Sequence, residues 1–430
     1  METISFDYFP DEILQLIFLF CSPVDKFVSF FVTKRFQKLI GEDKENKNNI
    51  CQIAALDGHL KVLIWARRNG CGWDLSTSIS AIKNGNLNTL NWISDNGCPM
   101  DYGICNIAAK NNHINVIKWA RRKHFVWDEY TCRNAAEGGH LKILKWLHQM
   151  GCSWDEYTFH QAAYFGDLKV LKWLREKNCP WNEFTCSHAA SKGDLQVLKW
   201  LRKNGCAWDT CTCSNAASKG HLKVLKWARE NGCDWDKSTC KYAAQNGHLE
   251  VLKWARENGC DWDDENTCND AAGYGHLEVL KYARENGCRW DKNVCTNAAG
   301  NGHLEVLKWA RENGCEWDSE TCTSAAADGH FEILKYAREN GCEWDSNTCY
   351  NAAGNGDFEI LKWAHENGCP WDEENICFSA SSNGHLDILK WLLENGCKWN
   401  KQICTFAAMC NFEILKSMLV TKNLIVPWYY

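Results

Sequence analysis

Thr239-Cys240-Lys241-Tyr242-Ala243-Ala244-Gln245-Asn246-Gly247-His248-Leu249-Glu250-Val251-Leu252-Lys253-Trp254-Ala255-Arg256-Glu257-Asn258-Gly259-Cys260-Asp261-Trp262-Asp263 is the stretch on which the fold turns. It is one copy of a unit repeated along the chain. The first Ala of the Ala-Ala pair, or its equivalent, falls at positions 54, 81, 108, 135, 162, 189, 216, 243, 271, 298, 325, 352, 380 and 407. These fourteen units step by 27 residues, except for two steps of 28. Self-similarity at a fixed period of this size is the mark of a repeat architecture. The extra residues fall within 263–266 and 372–375, so that segment is a loop that accepts insertion.

Each unit predicts two helices. Thr239 is the expected N-cap of the first, its hydroxyl accepting one of the unpaired backbone N–H groups. Gly247 closes that helix. Among the fourteen units only Asn112 and Asn411 replace this glycine. Asn best tolerates a left-handed backbone, so the position requires positive φ. His248 follows, replaced elsewhere by Asp167, Asp194, Asp357 or Asn86, which predicts the N-cap of the second helix. Leu249, Val251, Leu252, Trp254 and Ala255 form the expected buried side of that helix. Lys253, Arg256 and Glu257 face water. Gly259 ends the unit, and His124 and Asn178 stand in for it in two others. Two helices of about ten residues cannot bury their apolar faces alone, so neighbouring units supply the core. The expected fold is all-α, an α-solenoid of helix pairs.

Composition agrees with one unit copied many times: 24 Trp and 27 Cys stand beside five Met and six Pro. At 45% apolar and 24% charged, the chain is neither disordered nor fibrous. No 18-residue uncharged run is present, which argues against a membrane span. Met1-Glu2 lacks the basic start of a signal peptide, so the expected location is intracellular and cytoplasmic, with thiols mostly reduced. The net charge of -6 is concentrated as acid after residue 200. That argues against nucleic acid, which wants clustered Lys and Arg.

The pattern Ala-Ala-x-x-Gly-His-Leu-Glu-Val-Leu-Lys followed by Glu-Asn-Gly-Cys-Asp resembles the ankyrin repeat over residues 51–420. The unit is shorter than the family's usual one. The loss lies between Asp263 and Thr267, where ankyrin repeats build a projecting hairpin. The family's Thr-Pro-Leu-His start is reduced to Thr-Cys. Such short arrays, with Lys-Trp and Gly-Cys-x-Trp-Asp, resemble those of giant DNA viruses of amoebae, which would place the protein in a host cytoplasm. The resemblance implies protein–protein recognition rather than enzymatic activity.

Residues 1–45 do not follow the period. Phe9-Pro10-Asp11-Glu12-Ile13-Leu14 and Val32-Thr33-Lys34-Arg35-Phe36 resemble the two elements of an F-box. A Pro with acids ahead of an apolar run is also a helix start. The resemblance implies docking on a Skp-type adaptor of a cullin ubiquitin ligase through Phe9, Pro10, Ile13, Leu14, Ile17, Phe18 and Val32. The alternative is that these helices cap the exposed end of the solenoid. Residues 46–50 are then a linker and 421–430 a C-terminal tail.

The remaining question is chemistry. Twelve Cys lie three residues before the Ala pair and twelve follow the second helix, with no Cys-x-x-Cys, so packing rather than zinc is expected. Nine of the 14 His occupy the inter-helix position, a structural role. No Gly-rich phosphate loop, nucleophile set or acid pair breaks the repeat, so neither catalytic residues nor a cofactor or metal are expected. The Trp ladders, such as Trp254 and Trp262, are expected to refill volume in the core. Recognition then falls to positions that vary between units: Tyr164, Phe165, Tyr242, Asp270, Tyr274, Tyr350 and Phe378 flank the Ala pair. Aromatic residues in a polar setting are what interface anchors look like. The alternative is that some pack on the neighbouring repeat.

Overall fold

The computed structural model describes residues 44–68, 70–263, 266–397 and 403, with side chains from residue 50 onward. The adaptor-docking residues Phe9 to Val32 and the tail lie outside the described residues. Among the described residues the chain is 26 α-helices and no strand. They form thirteen helix pairs, one for each of the first thirteen units. The chain divides into two compact units, Met1–Trp208 and Asp209–Tyr430. The first holds repeats 1–6 and the second repeats 7 onward. The first helix of repeat 1 is Lys44–Leu56, so residues 46–50, expected as a linker, are helical.

Repeat 8 shows how the sequence sets the boundaries. Its helices are Lys237–Gln245 and Leu249–Glu257. The N-cap of the first is Asp236, not Thr239. Asp236 has an extended backbone, and its carboxylate accepts from Ser238 N at 2.9 Å. Thr239 sits one turn further in and is fully buried. The Trp-Asp pair that ends the preceding unit supplies the cap, and a carboxylate there also complements the helix dipole. Asp155, Asp209, Asp318 and Asp345 cap in the same way.

At the other end Gly247 has φ 75°, as the Asn replacement at Asn112 (φ 65°) implies. The His248 amide donates to Ala243 O at 2.8 Å and the Gly247 amide to Ala244 O at 3.1 Å, the paired bonds of a left-handed helix stop. His124 (φ 66°) and Asn178 (φ 56°) adopt the same conformation at the second stop.

The inter-helix histidine does something other than capping. His248 makes no side-chain bond to its own helix. Its Nε2 instead lies 3.2 Å from Ser218 O, thirty residues back. That carbonyl ends the first helix of repeat 7, where no intrahelical donor remains. The same tie joins His276 to Gln245 O, His303 to Gly273 O and His330 to Gly300 O, each at 3.1 Å. Within residues 1–208, His113 reaches Lys83 O and His140 reaches Lys110 O. Where Asn86, Asp167 or Asp194 replaces His, the shorter side chain turns back to its own helix, whereas Asp357 makes no such bond. Asp167 accepts from Lys169 N and Val170 N, and Asn86 accepts from Asn88 N and Thr89 N. The imidazole is long enough to cross the inter-repeat gap, and the carboxylate is not.

Two layers result. First helices of successive repeats in each unit pack closely because the Ala pairs, fully buried, let their backbones approach. Second helices lie further apart. Of the side chains expected on their buried side, Val251, Leu252 and Ala255 are buried, while Leu249 and Trp254 are half-buried. Most second-helix tryptophans are half-buried and bridge neighbouring repeats, while Trp119 and Trp173 are buried. Trp235 meets Trp254 edge-on at 5.6 Å, and Trp290 meets Trp309 at 5.7 Å. In repeats 1–6, Trp73–Trp92 and Trp127–Trp146 repeat the contact at 5.6 Å. An arginine from the second helix covers most of the turn indoles: Arg229 over Trp235 at 4.3 Å, Arg256 over Trp262 at 4.4 Å. Its guanidinium also donates to the carbonyl four residues on, as Arg229 does to Cys233 O at 2.6 Å. His148 on Trp154 and His365 on Trp371 stack where Arg is absent.

Candidate recognition surface

The repeated cysteines form pairs inside ten of the thirteen described repeats and leave little room for chemistry. Cys240 and Cys260 lie together in the core of repeat 8, both buried, and the Cys260 thiol donates to Asp236 O at 3.3 Å. The Cys260 thiol beside it, together with burial, pushes the Cys240 thiol up, so it stays protonated. Burial pushes Cys179 up to about 12 and Cys98 up to about 11. Such thiols pack rather than react. Cys377 and Cys397 are the same pair in repeat 13, with Cα atoms 6.8 Å apart. Among the described residues no group of three or more His, Cys, Asp or Glu is arranged to hold a metal ion. No described helix is long and apolar enough to cross a membrane.

What varies between repeats is the outer surface of the first helices. In residues 1–208, Tyr164 and Phe165 pack edge-to-face at 5.1 Å at the C-terminal end of the helix Glu156–Phe165, with Lys192 5.5 Å from the Tyr164 ring. In residues 209–430, Tyr242 and Tyr274 are exposed, and Gln245 Nε2 donates to the Tyr274 hydroxyl at 3.0 Å. Asp270 stands at the middle of the next first helix. Burial holds its carboxyl above the usual range against the pull of Lys241, and its Oδ2 is buried without a hydrogen-bond partner. Tyr350 is exposed and lines a cleft of about 280 Å³ with Ser346, Asn347, Asp372, Asn375 and Ile376. Phe378 is half-buried on the adjacent helix. Tyr242, Asp270 and Tyr274 thus share one pair of neighbouring first helices, and Tyr350 and Phe378 another.

A further register was missed. Tyr130, Tyr157 and Phe184 lie five residues before the Ala pair in repeats 4, 5 and 6, and are 50%, 49% and 46% exposed. Arg133 lies between the first two, its guanidinium 4.3 Å from the Tyr130 ring and 4.6 Å from the Tyr157 ring. It is paired with Asp155 through Nε at 3.0 Å and through a second nitrogen. His160 is only 2% exposed, stacked at 5.0 Å on His188, with Nε2 2.8 Å from Asn182 Oδ1. Burial depresses its pKa below the ordinary histidine value. The signal was in the sequence, as three aromatics spaced by one repeat. It lay outside the residues beside the Ala pair, on which the sequence argument centred.

Family models for ankyrin repeats match residues 132–175, 159–202 and 213–256 (many copies) and residues 322–403 (three copies). No curated protein matches the chain. The ankyrin repeat domain of human ASB11 aligns at 18% identity and a TM-score of 0.33, covering 37% of this chain and 84% of that one. The pentatricopeptide repeat protein PPR10, in complex with an 18-nt psaJ RNA element, aligns at 14% identity and a TM-score of 0.37, covering 96% of this chain and 73% of that one. At such TM-scores neither likeness carries an argument about fold or ligand. Ankyrin repeats are supported in this chain by the family models, which fall on the fourth to eighth repeats and on the array from the eleventh onward.

Proposed function

We propose that this chain is a protein-recognition adaptor, and that residues 1–45 make it the substrate-recognition subunit of a Skp/cullin/F-box ubiquitin ligase. The observation that carries recognition is the division of labour within each repeat. Ala, Cys, Val and Leu positions are fixed and buried, while first-helix surface positions vary and expose aromatic side chains. A buried invariant scaffold with aromatic residues on its variable surface fits selective protein binding. The target meets Tyr164, Phe165, Tyr242, Asp270, Tyr274, Tyr350 or Phe378. The ligase contact rests on the F-box-like residues Phe9, Pro10, Ile13, Leu14, Ile17, Phe18 and Val32. In a viral setting the ligase is the host's, in the cytoplasm. The rival reading is a binding scaffold without ligase contact.

The test is co-purification of the full chain with a recombinant Skp-type adaptor and cullin. Replacing Leu14 and Ile17 by Asp should abolish adaptor recovery, because an unpaired carboxylate buried in an interface is strongly unfavourable. Target capture should persist. If the unaltered chain recovers no adaptor where a known F-box protein does, the scaffold reading replaces this one.

A further inference from the structure

Tyr130, Tyr157 and Phe184 occupy one register on three successive first helices, Glu129–Glu137, Glu156–Phe165 and Glu183–Lys192. Beside each ring stands the first residue of its helix, Glu129, Glu156 or Glu183. None of these three carboxylates has an ion-pair partner among the described residues. The strip therefore alternates exposed ring and uncompensated carboxylate.

The protein itself shows what such a place holds. Between Tyr130 and Tyr157 lies the guanidinium of Arg133, in contact with both rings and paired with Asp155. One repeat on, the residue equivalent to Arg133 is His160. It is nearly fully buried, meets the Tyr157 ring edge-on at 5.3 Å and bonds to Asn182 Oδ1, while Tyr157 and Phe184 stay about half exposed. The second gap thus has the rings and the carboxylates, Glu156 and Glu183, without a cation of its own. Cations over aromatic faces are attracted by the ring quadrupole, most strongly where they are partly desolvated. The positive ends of the helix dipoles oppose a cation here, but the three glutamates outweigh them in formal charge.

Spacing selects the form of the ligand. Packed helices lie about 8–10 Å apart, and an extended chain advances about 10 Å in three residues. We propose that this strip on repeats 4–6 binds an extended basic segment of a partner protein, with one Arg or Lys lodged between Tyr157 and Phe184 as Arg133 is lodged between Tyr130 and Tyr157. A basic residue three positions away then reaches the next ring. This rests on the reading that first-helix surfaces are where recognition occurs, and it names the partner's chemistry at one of them.

The probe is a fluorescein-labelled peptide of four Arg-Ser-Pro triplets, compared with four Glu-Ser-Pro triplets, read by anisotropy with the full-length protein at low salt. Binding of the basic peptide alone is expected. Tyr157→Ser and Phe184→Ser should each weaken it by about fivefold or more. Both leave the charge unchanged, so they separate lodging in the gap from general attraction to an acidic protein. Glu183→Gln should weaken binding and flatten its salt dependence. Tyr242→Ser, in the other compact unit, should leave it as it was. Basic-peptide binding that survives the Tyr157→Ser/Phe184→Ser double substitution overturns the proposal. So does preference for the acidic peptide, and if that preference is lost in the double variant, first-helix recognition stands while this inference falls. Hydrogen-exchange protection by a target confined to second helices would instead sink the first-helix reading itself.

Discussion

Replacing His248 by Ala tests the tie between repeats most directly. The substitution removes the bond from Nε2 to Ser218 O and strips the ring from Gly220, where a Cβ would lie 2.8 Å from the imidazole. A hydrogen bond of this kind contributes about 0.5–1.5 kcal/mol net. With the ring's packing, the loss should come to about 1–2 kcal/mol. Stability in a stacked array is a sum of repeat and nearest-neighbour terms, so the loss should be local. The assay is native-state hydrogen exchange of the full chain. Protection of the Thr210–Ser218 and Leu249–Glu257 amides should fall about 5- to 30-fold, with repeats 11–13 unchanged. His248→Asp should recover part of it, because Asp at this position caps its own helix as Asp167 does. The pH dependence carries a sign. Burial lowers the His248 pKa below its ordinary 6.5, and His221, His276 and Lys219 lower it further against the Ser218 carbonyl. Its contribution is then whole above pH 6.5 and is lost as pH falls through the lower folded-state value. Protection in repeats 7 and 8 should drop on acidification in the wild type and more weakly in His248→Ala. A neutral His248→Ala, or an Asp variant no better than Ala, would refute the argument.

Three further substitutions probe the other supports. Gly247→Ala should destabilise by at least about 1–2 kcal/mol in urea unfolding, since φ is 75° and the new Cβ would sit 2.7 Å from the His276 ring. Arg256→Ala should cost about 1 kcal/mol and alter Trp262 fluorescence, because the guanidinium covers that indole and bonds to Cys260 O; Arg256→Lys should restore only part. Cys260→Ala should cost about 1 kcal/mol by removing the thiol bond to Asp236 O, and the change should be the same with or without a metal chelator.

Much of the fold was legible because its period is. The helix stops could be read from Gly247 and from the Asn and His that replace it, since few residue types tolerate positive φ. The buried Ala, Val and Leu positions followed from helical spacing. What could not be read was reach across repeats. A cap and a tie both call for a polar side chain just before a helix, and only the length of the imidazole separates them. The Thr239 and Asp236 alternatives differ by three residues in a segment where both types accept hydrogen bonds. Asp wins because the turn delivers it in an extended conformation. The Trp ladder looked like core because Trp is large and apolar. The close-packed first helices and wider-set second helices, which decide that it bridges instead, are a property of stacking rather than of one unit.

The same distinction separates scaffold from surface. A repeat array fixes every residue that must serve in all copies, so residues free to specialise are those that touch neither the Ala-lined layer nor the indole bridge. First-helix surface positions meet that condition. Five residues before the Ala pair the chain runs Tyr130, Tyr157, Phe184, and then Cys211, Ser238 and Asn266. Aromatic character is thus confined to three consecutive copies, where solvent gives no reason to place it and packing does not use half of each ring. Exposed apolar area costs a soluble protein solubility and adds no stability. Its concentration beside unpaired carboxylates is what a binding surface requires, and the smaller polar residues that follow show that the fold itself does not.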